Sequence, residues 1–588
     1  MGAFLLYKSG CEIDAASTRS VFEKKGFDAP RVFQLGAWTL WLYRKQLIET
    51  DNFVKDDATG NMAFSVGTPI YRGKSYMGSL KSLLVDFAAD SLDQTRLIGS
   101  CCVLFWDGRQ VKCLTDRQNT LHVFYDERRE VVSSSFLSLV AASKTPRNLN
   151  RLALCEKLST GYIVSPDTLV EGVSQIDDAG MRDWPSGTGV DWICHPGRAI
   201  GEGCLTFKDG ICRQHEVLKR HFLACDAISQ EFGGELGLSD GFDSRLVLAC
   251  AKYFSSPIGV HTHATKGSHD ESKLLVEAMA KIAGVTVKEV PTSRMEELSP
   301  GRIAEVMEDG LYYYDGRCSH NMGAFSETYT RWYRRQIIDS RLFSLNGLGG
   351  ELYRNYYETS TCPVDLEDWL DSRVYYYFAG DAVESEEIFR AMRQHTRDKL
   401  IARVGETMRN GKVDFLWRRD YYSSVRMPDC DANNNDAHQQ LQFFHTPFMD
   451  EDIVAEGLRA TPFIGVGTTF QAALITDISR AIAACQSHYG YPFTHVPFKP
   501  LLKAWVRGHI PDALLYKRNK AKTRRDCATT AERFVKLTDC VPALAAIRTA
   551  LFDFKAVRSF DTAMIEYAQR PTTFSVGKFL QAFGGKVR

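Results

Sequence analysis

The chain has 588 residues, of which 44% are hydrophobic and 24% charged, as in an ordinary folded protein with more than one core. Lys and Arg together number 72, as do Asp and Glu, and this balance argues against nucleic acid or an anionic membrane as a partner. No apolar run reaches the roughly 20 residues that span a bilayer. The amino-terminal residues lack the pattern of a secretory signal. We therefore expect a cytoplasmic protein.

The first part of the chain, to about residue 190, is predicted to be rich in short strands. Apolar residues at helical spacing predict one helix over residues 80–87. Polar and glycine turns separate the predicted strands, which are residues 62–68, 99–106, 111–115, 121–125 and 131–135. Such a dense series of short strands predicts an antiparallel sheet.

The pattern changes between residues 190 and 215, where His-Pro-Gly and Gly-Glu-Gly mark a connecting region. Predicted helices then alternate with predicted strands. The helices are residues 215–232, 243–254 and 270–283, and the strands are residues 235–238, 258–264 and 285–290. This alternation predicts a mostly parallel sheet with helices on both faces. The chain beyond residue 300 is predicted to be largely helical.

The 16 cysteines are scattered singly, apart from the adjacent Cys101 and Cys102. The sequence contains no C-x-x-C pair and no His/Cys cluster at zinc spacing. Without an export signal, this pattern predicts reduced thiols.

Residues 238–245, with the sequence LSDGFDSR, follow a predicted strand and open a predicted helix. Such a turn directs backbone N–H groups and the positive end of the helix dipole toward an anion. Ser239 and Ser244 add hydroxyl donors, and Asp243 can hold a Mg²⁺ ion that bridges phosphates. A plain strand-to-helix turn with Ser and Asp caps is the alternative interpretation of this segment alone.

The segment resembles the S-G-G-x-D-S pyrophosphate loop of the ATP pyrophosphatase superfamily. The resemblance is to the branch of asparagine synthetases, β-lactam synthetases and lasso-peptide cyclases. Four further stretches resemble motifs of that family and follow in the family's order. They are residues 262–284, 346–353 (NGLGGELY), 447–454 (PFMDEDIV) and 499–520 (from KPLLK to RNK).

Residues 99–134 resemble the core of the family's glutaminase-type domain, an N-terminal-nucleophile fold of two stacked sheets between helix layers. The resemblance implies an α+β glutaminase-like sandwich over residues 1–195. It also implies an α/β, Rossmann-like ATP pyrophosphatase domain with a parallel sheet and a helical carboxyl-terminal part over residues 205–588. The family's glutaminase uses a cysteine at position 2, with its free amine as base. This chain has Gly2 there, so we expect no glutaminase activity.

The resemblance further implies an ATP and Mg²⁺ site. Asp243 and Glu351 are expected to hold the metal from opposite sides, although the family usually has Asp where Glu351 stands. Lys520, or alternatively Lys522, matches the family's lysine that meets charge developing on the phosphate and the tetrahedral intermediate. Catalytic roles are thus expected of Asp243, Glu351 and Lys520. The residues expected to bind the nucleotide are Leu238, Ser239, Gly241, Asp243, Ser244, Gly347 and Gly349.

Some positions depart from the family pattern or have simpler interpretations. Asp240 replaces one glycine of the family's loop, where its charge must be offset by a metal or by Arg245. Leu348 stands where asparagine synthetases have Glu and β-lactam synthetases a catalytic Tyr, so the acceptor chemistry is expected to differ from both. The basic run that contains Lys520 could instead be a solvated face. His261 and His263 are predicted to satisfy local hydrogen bonds. The remaining polar and aromatic runs are predicted to be packing residues (312–314 and 375–377) and a polar loop (433–435).

The leading hypothesis is an AMP-forming amide ligase or cyclase that adenylates a carboxylate for attack by an amine. The substrate would be a small molecule or a peptide in specialised biosynthesis, and a homodimer or a biosynthetic partner protein is possible. One alternative is an ammonia-dependent asparagine synthetase. The other is a nucleotide-binding sensor or scaffold with a degenerate site.

Overall fold

A computed structural model of the chain describes residues 2–184 except 146 and 149, 206–265, 271–317 except 294–297 and 299, 327–375 except 358 and 359, 386–510 except 409 and 466, and 514. Within these ranges the fold is mixed α/β, with a five-stranded parallel sheet and separate antiparallel sheets. No helix in them combines the length and the apolar character needed to cross a bilayer.

The first 184 residues are built mainly from antiparallel strands. The strands are β1 (Ala3–Lys8), β2 (Arg31–Leu35), β3 (Trp38–Tyr43), β4 (Phe53–Lys55), β5 (Met62–Gly67), β6 (Ile70–Tyr71), β7 (Leu97–Ile98), β8 (Cys101–Trp106), β9 (Val111–Thr115), β10 (Phe124–Asp126), β11 (Val131–Ser133), β12 (Val173–Gln175) and β13 (Gly180–Trp184). The helices are α1 (Ala15–Lys24), α2 (Tyr76–Ala88), α3 (Phe136–Ala141) and α4 (Arg151–Thr160). Six strands form one sheet, in the order β12-β10-β11-β1-β3-β2, and five form a second, in the order β13-β9-β8-β5-β4.

The two sheets lie face to face with helices outside them. Phe4 and Leu40 of the first sheet pack in one core with Phe64 and Leu104 of the second. On the opposite faces, α1 and α3 pack against the first sheet and α2 against the second. Because successive side chains of a strand point to opposite faces, each sheet contributes to two cores.

The predicted strands of this region are confirmed, with β10 beginning at Phe124 rather than at residue 121. The sequence pattern does not mark β1 and β3 as strands. Both are nearly continuous apolar runs, and β3 is buried on both faces. Such runs lack the alternation by which a half-buried strand is recognised.

From residue 206 the chain alternates helices and strands. The helices are α5 (Phe207–Ala224), α6 (Asp226–Phe232), α7 (Phe242–Cys250), α8 (Glu271–Ala283), α9 (Pro300–Tyr313) and α10 (Arg331–Ile337). The strands are β14 (Gly234–Gly237), β15 (Gly259–Thr265), β16 (Val287–Thr292), β17 (Phe343–Leu345), β18 (Val364–Asp365), β19 (Lys412–Val413) and β20 (Phe443–His445). The later helices are α11 (Leu366–Trp369), α12 (Glu386–Val404), α13 (Phe415–Tyr421), α14 (Asn433–Gln439), α15 (Glu451–Arg459), α16 (Thr461–Ile464), α17 (Thr469–Ile478), α18 (Arg480–Ala483) and α19 (Phe498–Gly508).

The parallel sheet has the strand order β16-β15-β14-β17-β20. The chain thus moves outward from β14 in one direction to β16, and then returns to place β17 on the other side of β14. Helices α5, α7 and α17 share the core of one face, while Val290 of β16 packs against α10 on the other. The predicted parallel sheet with helices on both faces is confirmed.

Two predictions for this half need correction. The helix predicted over residues 215–232 is two helices that meet at Cys225, and the first begins at Phe207. The polar loop predicted over residues 433–435 is the start of helix α14, and Asn435 in it is fully buried. The Asn435 amide donates to Ser100 Oγ at 2.9 Å and to Thr446 Oγ1 at 3.2 Å. The polarity of Asn435 alone indicates a loop, but its buried hydrogen-bond partners from distant segments allow it to lie inside the protein.

Candidate functional site

The loop between β14 and α7 carries the predicted phosphate-binding residues. Ser239 Oγ lies 2.9 Å from Ser244 Oγ, and the Ser239 backbone N–H donates to the same Ser244 oxygen at 3.0 Å. Leu238 N–H donates to the His261 carbonyl at 2.8 Å and keeps the loop aligned with β15. Helix α7 begins directly after Gly241, so its free N–H groups face outward at this end.

A second loop, after β17, comes to lie against the first. A Cβ at Gly347 would be 2.7 Å from the Ser244 nitrogen, and one at Gly350 would be 2.3 Å from Asp243 Oδ1. Gly349 has φ +91°, which L side chains rarely adopt. The glycine-rich sequence is therefore required by the close approach of two loops that lie more than a hundred residues apart in the chain.

The two predicted metal ligands, Asp243 and Glu351, converge on one side chain. Arg354 Nη2 lies 2.5 Å from Asp243 Oδ2 and 3.3 Å from Glu351 Oε1. Gln471 donates to the second Asp243 oxygen at 2.7 Å, and Tyr422 donates to Glu351 Oε2 at 3.0 Å. Burial raises the pKa of Asp243 to about 6, and the positive charge of Arg354 opposes that rise.

These contacts test whether the carboxylates suit Mg²⁺. Asp243 Oδ2 and Glu351 Oε1 lie on either side of one position, and the positively charged guanidinium of Arg354 occupies it. Mg²⁺ in nucleotide sites is held by one or two carboxylates together with phosphate oxygens and water. The donor set of Asp243 and Glu351 therefore fits Mg²⁺, and Arg354 competes for the same charge.

A cavity of about 510 Å³ opens beside the two loops. Its wall includes Ser239, Ser244, His261, Tyr329, Gly347 and Glu351. It lies at the carboxyl ends of β14 and β17, where the strand order reverses direction, which is where open α/β sheets bind ligands. Its volume is that of an ordinary small-molecule site.

The cavity also brings in residues whose role the sequence did not reveal. His263 Nδ1 lies 2.9 Å from the Tyr333 hydroxyl, so this ring has the predicted hydrogen bond. His261 Nδ1 lies 3.2 Å from Glu235 Oε2 but makes no hydrogen bond to the described residues. Both imidazoles nevertheless line the cavity, as does Arg334. In the sequence, the signal for this wall is the pair of alternating histidines on the predicted strand of residues 258–264.

A buried ion pair lies beneath the cavity wall. Arg334 Nη2 lies 2.7 Å from Glu235 Oε1 and donates to Ser344 Oγ at 2.7 Å, and Gln442 donates to the same Glu235 oxygen at 3.0 Å. Burial alone would raise the pKa of Glu235, but the charge of Arg334 holds that pKa well below its usual range. The paired charges fix α10 to the middle of the sheet.

The loop carboxylate of Asp240 has a different partner from the one predicted. His488 Nδ1 lies 3.2 Å from Asp240 Oδ1, whereas Arg245 contacts only the Asp240 backbone oxygen, at 3.4 Å. The remaining Arg245 bonds run to the carbonyls of Cys485 and Gln486. The side chain that faces the Asp240 carboxylate is therefore His488 and not, as the sequence suggested, Arg245.

Two expectations concern the ends of the chain. A Cβ at Gly2 would be 2.3 Å from the Arg44 carbonyl oxygen, so this backbone has no room for the cysteine on which a glutaminase depends. Lys520 and its alternative Lys522 lie outside the described residues.

Comparisons with known proteins leave the family open. No protein-family model matches the chain, and no curated protein matches it.

Proposed function

We propose that this chain is an ATP-dependent, AMP-forming amide ligase or cyclase of the asparagine-synthetase type. The observation that carries the proposal is the meeting of two glycine-containing loops at the point where the strand order of the parallel sheet reverses. One loop offers the N-terminus of α7 and two serine hydroxyls, and the other offers Glu351. Together they border a cavity large enough for a nucleotide and a substrate carboxylate.

In the proposed reaction the substrate carboxylate attacks the α-phosphorus of ATP, pyrophosphate leaves, and an amine then displaces AMP from the acyl-adenylate. Ser239, Ser244 and the free N–H groups of α7 bind the leaving pyrophosphate. Asp243 and Glu351 would hold Mg²⁺, which would neutralise phosphate charge. Lys520 is proposed to stabilise charge on the phosphate and on the tetrahedral intermediate.

The domain boundaries of the proposal are residues 1–195 and 205–588. The face-to-face antiparallel sheets with outer helices support a glutaminase-like sandwich for the first. The parallel sheet with its strand reversal supports an ATP pyrophosphatase fold for the second. The crowding of Gly2 against Arg44 supports a first domain that docks or stabilises but does not hydrolyse glutamine.

The test is ATP–pyrophosphate exchange across a panel of amino acids, peptides and small carboxylic acids. Wild type is compared with Asp243→Asn and with Asp339→Asn, which changes an exposed aspartate outside the cavity. We expect exchange that depends on one carboxylate class, is lost in Asp243→Asn and persists in Asp339→Asn. Exchange that is unchanged in a folded Asp243→Asn variant would refute the assigned site.

Nucleotide binding without turnover is the second candidate, and Arg354 is the observation that favours it. Its guanidinium already neutralises both carboxylates that catalysis would use to hold Mg²⁺. ATP binding by calorimetry, with no exchange for any carboxylate, supports this sensor function. Conversion of aspartate and ammonium to asparagine would instead support the ammonia-dependent synthetase, against which Leu348 argues because its side chain cannot relay a proton.

A further inference from the structure

A cluster of metal-ligating side chains lies in the core, separate from the cavity. His221 in the last turn of α5 and Cys225 immediately after that helix are four residues apart, so they share one face. His445, the last residue of β20, meets them from a position 224 residues away from His221. One ligand atom from each of the three lies within 4.8 Å of the other two, and all three residues are buried.

The two imidazoles of the cluster contact each other directly. Their Nε2 atoms are 2.7 Å apart, and one hydrogen atom at most can lie between them. His221 Nδ1 lies 3.7 Å from Asp450 Oδ1, which favours the proton on Nδ1 and leaves the Nε2 lone pair directed at His445.

The polar atoms of the cluster are incompletely satisfied. His445 Nδ1 is buried and makes no hydrogen bond to the described residues. Buried polar groups normally have partners, and a metal-bound imidazole usually donates its second ring N–H to a carboxylate, a carbonyl or water.

We propose that His221, Cys225 and His445 form a structural site for a zinc-class transition-metal ion. Two imidazole nitrogens and one thiolate are ligands that Zn²⁺ prefers. On binding, the Cys225 thiol releases its proton to solvent as the sulfur–metal bond forms, and no electron transfer is involved. The imidazole nitrogens must separate to about 3.3 Å to reach tetrahedral bonds of about 2.0 Å, a small rotation of the two rings.

The surroundings support the two imidazoles. Asp450 Oδ1 lies 3.7 Å from His221 Nδ1, as the carboxylate partner that metal-bound histidines usually have. His445 also lines a small cavity of about 10 Å³ beside Asp450, roughly the space of one water next to the ring. The bound ion would join α5 to β20 and so hold this edge strand of the parallel sheet to the helix. This site does not depend on the proposed ligase function.

The experiment uses the untagged full chain, freed of metal by a chelator and titrated with Co²⁺. We expect one Co²⁺ per chain, with a thiolate-to-cobalt charge-transfer band that Zn²⁺ abolishes by displacement. Cys225→Ser should lose the band and the rise in melting temperature that the metal gives. Cys250→Ser, which changes another fully buried cysteine, on α7, should keep both.

Absence of the band in wild type, or a band that survives in Cys225→Ser, would overturn the proposal. If Cys225→Ser does not fold, X-ray absorption of cobalt-loaded wild type decides the question. One sulfur and two imidazole ligands support the site, and a shell of oxygen and nitrogen without sulfur refutes it.

Discussion

Replacing Arg354 with glutamine should strengthen binding of a divalent cation in the absence of nucleotide. In the wild-type protein, a metal at Asp243 and Glu351 must displace a guanidinium that lies 2.5 Å from one carboxylate and 3.3 Å from the other. Glutamine at position 354 keeps a polar side chain but removes the charge. The carboxylates are then left without their internal cation, and an external one meets less competition.

The magnitude follows from the bond that the metal must break. A hydrogen bond to a charged group contributes about 1.5–3 kcal/mol, and the longer contact with the partly exposed Glu351 adds little. At about 1.4 kcal/mol per factor of ten, the variant should bind the cation roughly 10- to 100-fold more tightly. This gain appears only when the Asp243 carboxyl is ionised. Burial raises its pKa to about 6, and loss of the opposing charge of Arg354 should raise that pKa further, so the assay needs a pH well above 6.

The assay is titration with Mn²⁺, which carboxylates bind much as they bind Mg²⁺, followed by electron paramagnetic resonance at mildly alkaline pH. Arg354→Lys is the matched control, because it retains the charge and should stay near wild-type affinity. Binding that is no tighter in Arg354→Gln than in wild type would refute the view that Arg354 occupies the cation position.

Three further predictions concern stability. Gly347→Ala places a Cβ 2.7 Å from the backbone of α7 and should lower the free energy of unfolding by about 1–3 kcal/mol in urea titrations, whereas Gly241→Ala, whose nearest neighbour is at 3.4 Å, should change it little. Glu235→Gln leaves Arg334 buried without its counter-charge and should cost about 3–5 kcal/mol; a smaller cost than the alanine change at 347 would contradict this. Burial raises the pKa of Glu451 from 4.5 to about 8. Between these two pH values the Glu451 carboxyl is protonated in the native state and ionised in the unfolded state. The free energy of unfolding should therefore fall as the pH rises through this range. Glu451→Gln should flatten this decline, and an equally steep profile in the variant would count against it.

The candidate phosphate loop could be predicted because its signals are local in sequence. A strand, a turn with two serines and the start of a helix are contained in residues 234–250, and the structure has all three. The parallel sheet could be predicted for the same reason, since each strand and its following helix are neighbours in the chain. Strand order was not predicted, because several orders are compatible with one alternating pattern.

The contacts that set the charge state of the site are not local. Arg354 and Gln471 reach Asp243 from 111 and 228 residues away, and His488 reaches Asp240 from a later segment still. Spacing along the chain does not group His445 with His221 and Cys225, because the strand order of the sheet brings these residues together. Spacing detects ligand sets within one turn or helix and misses those assembled by topology.

The departures from the family pattern are therefore best understood together with their partners. Asp240 adds a negative charge to the loop, and His488 lies 3.2 Å from that charge. Glu351 lengthens a carboxylate side chain, and Arg354, three residues later, contacts it and Asp243 together. In both cases a cationic or protonatable group faces an acidic substitution or extension, which is the pairing that buried and half-buried charges require. Such pairing stabilises the acidic groups whether or not a nucleotide binds, so these contacts explain how the fold accommodates the departures. The cation titration of Arg354→Gln then separates a site that exchanges its guanidinium for a metal from one that holds a permanent ion pair.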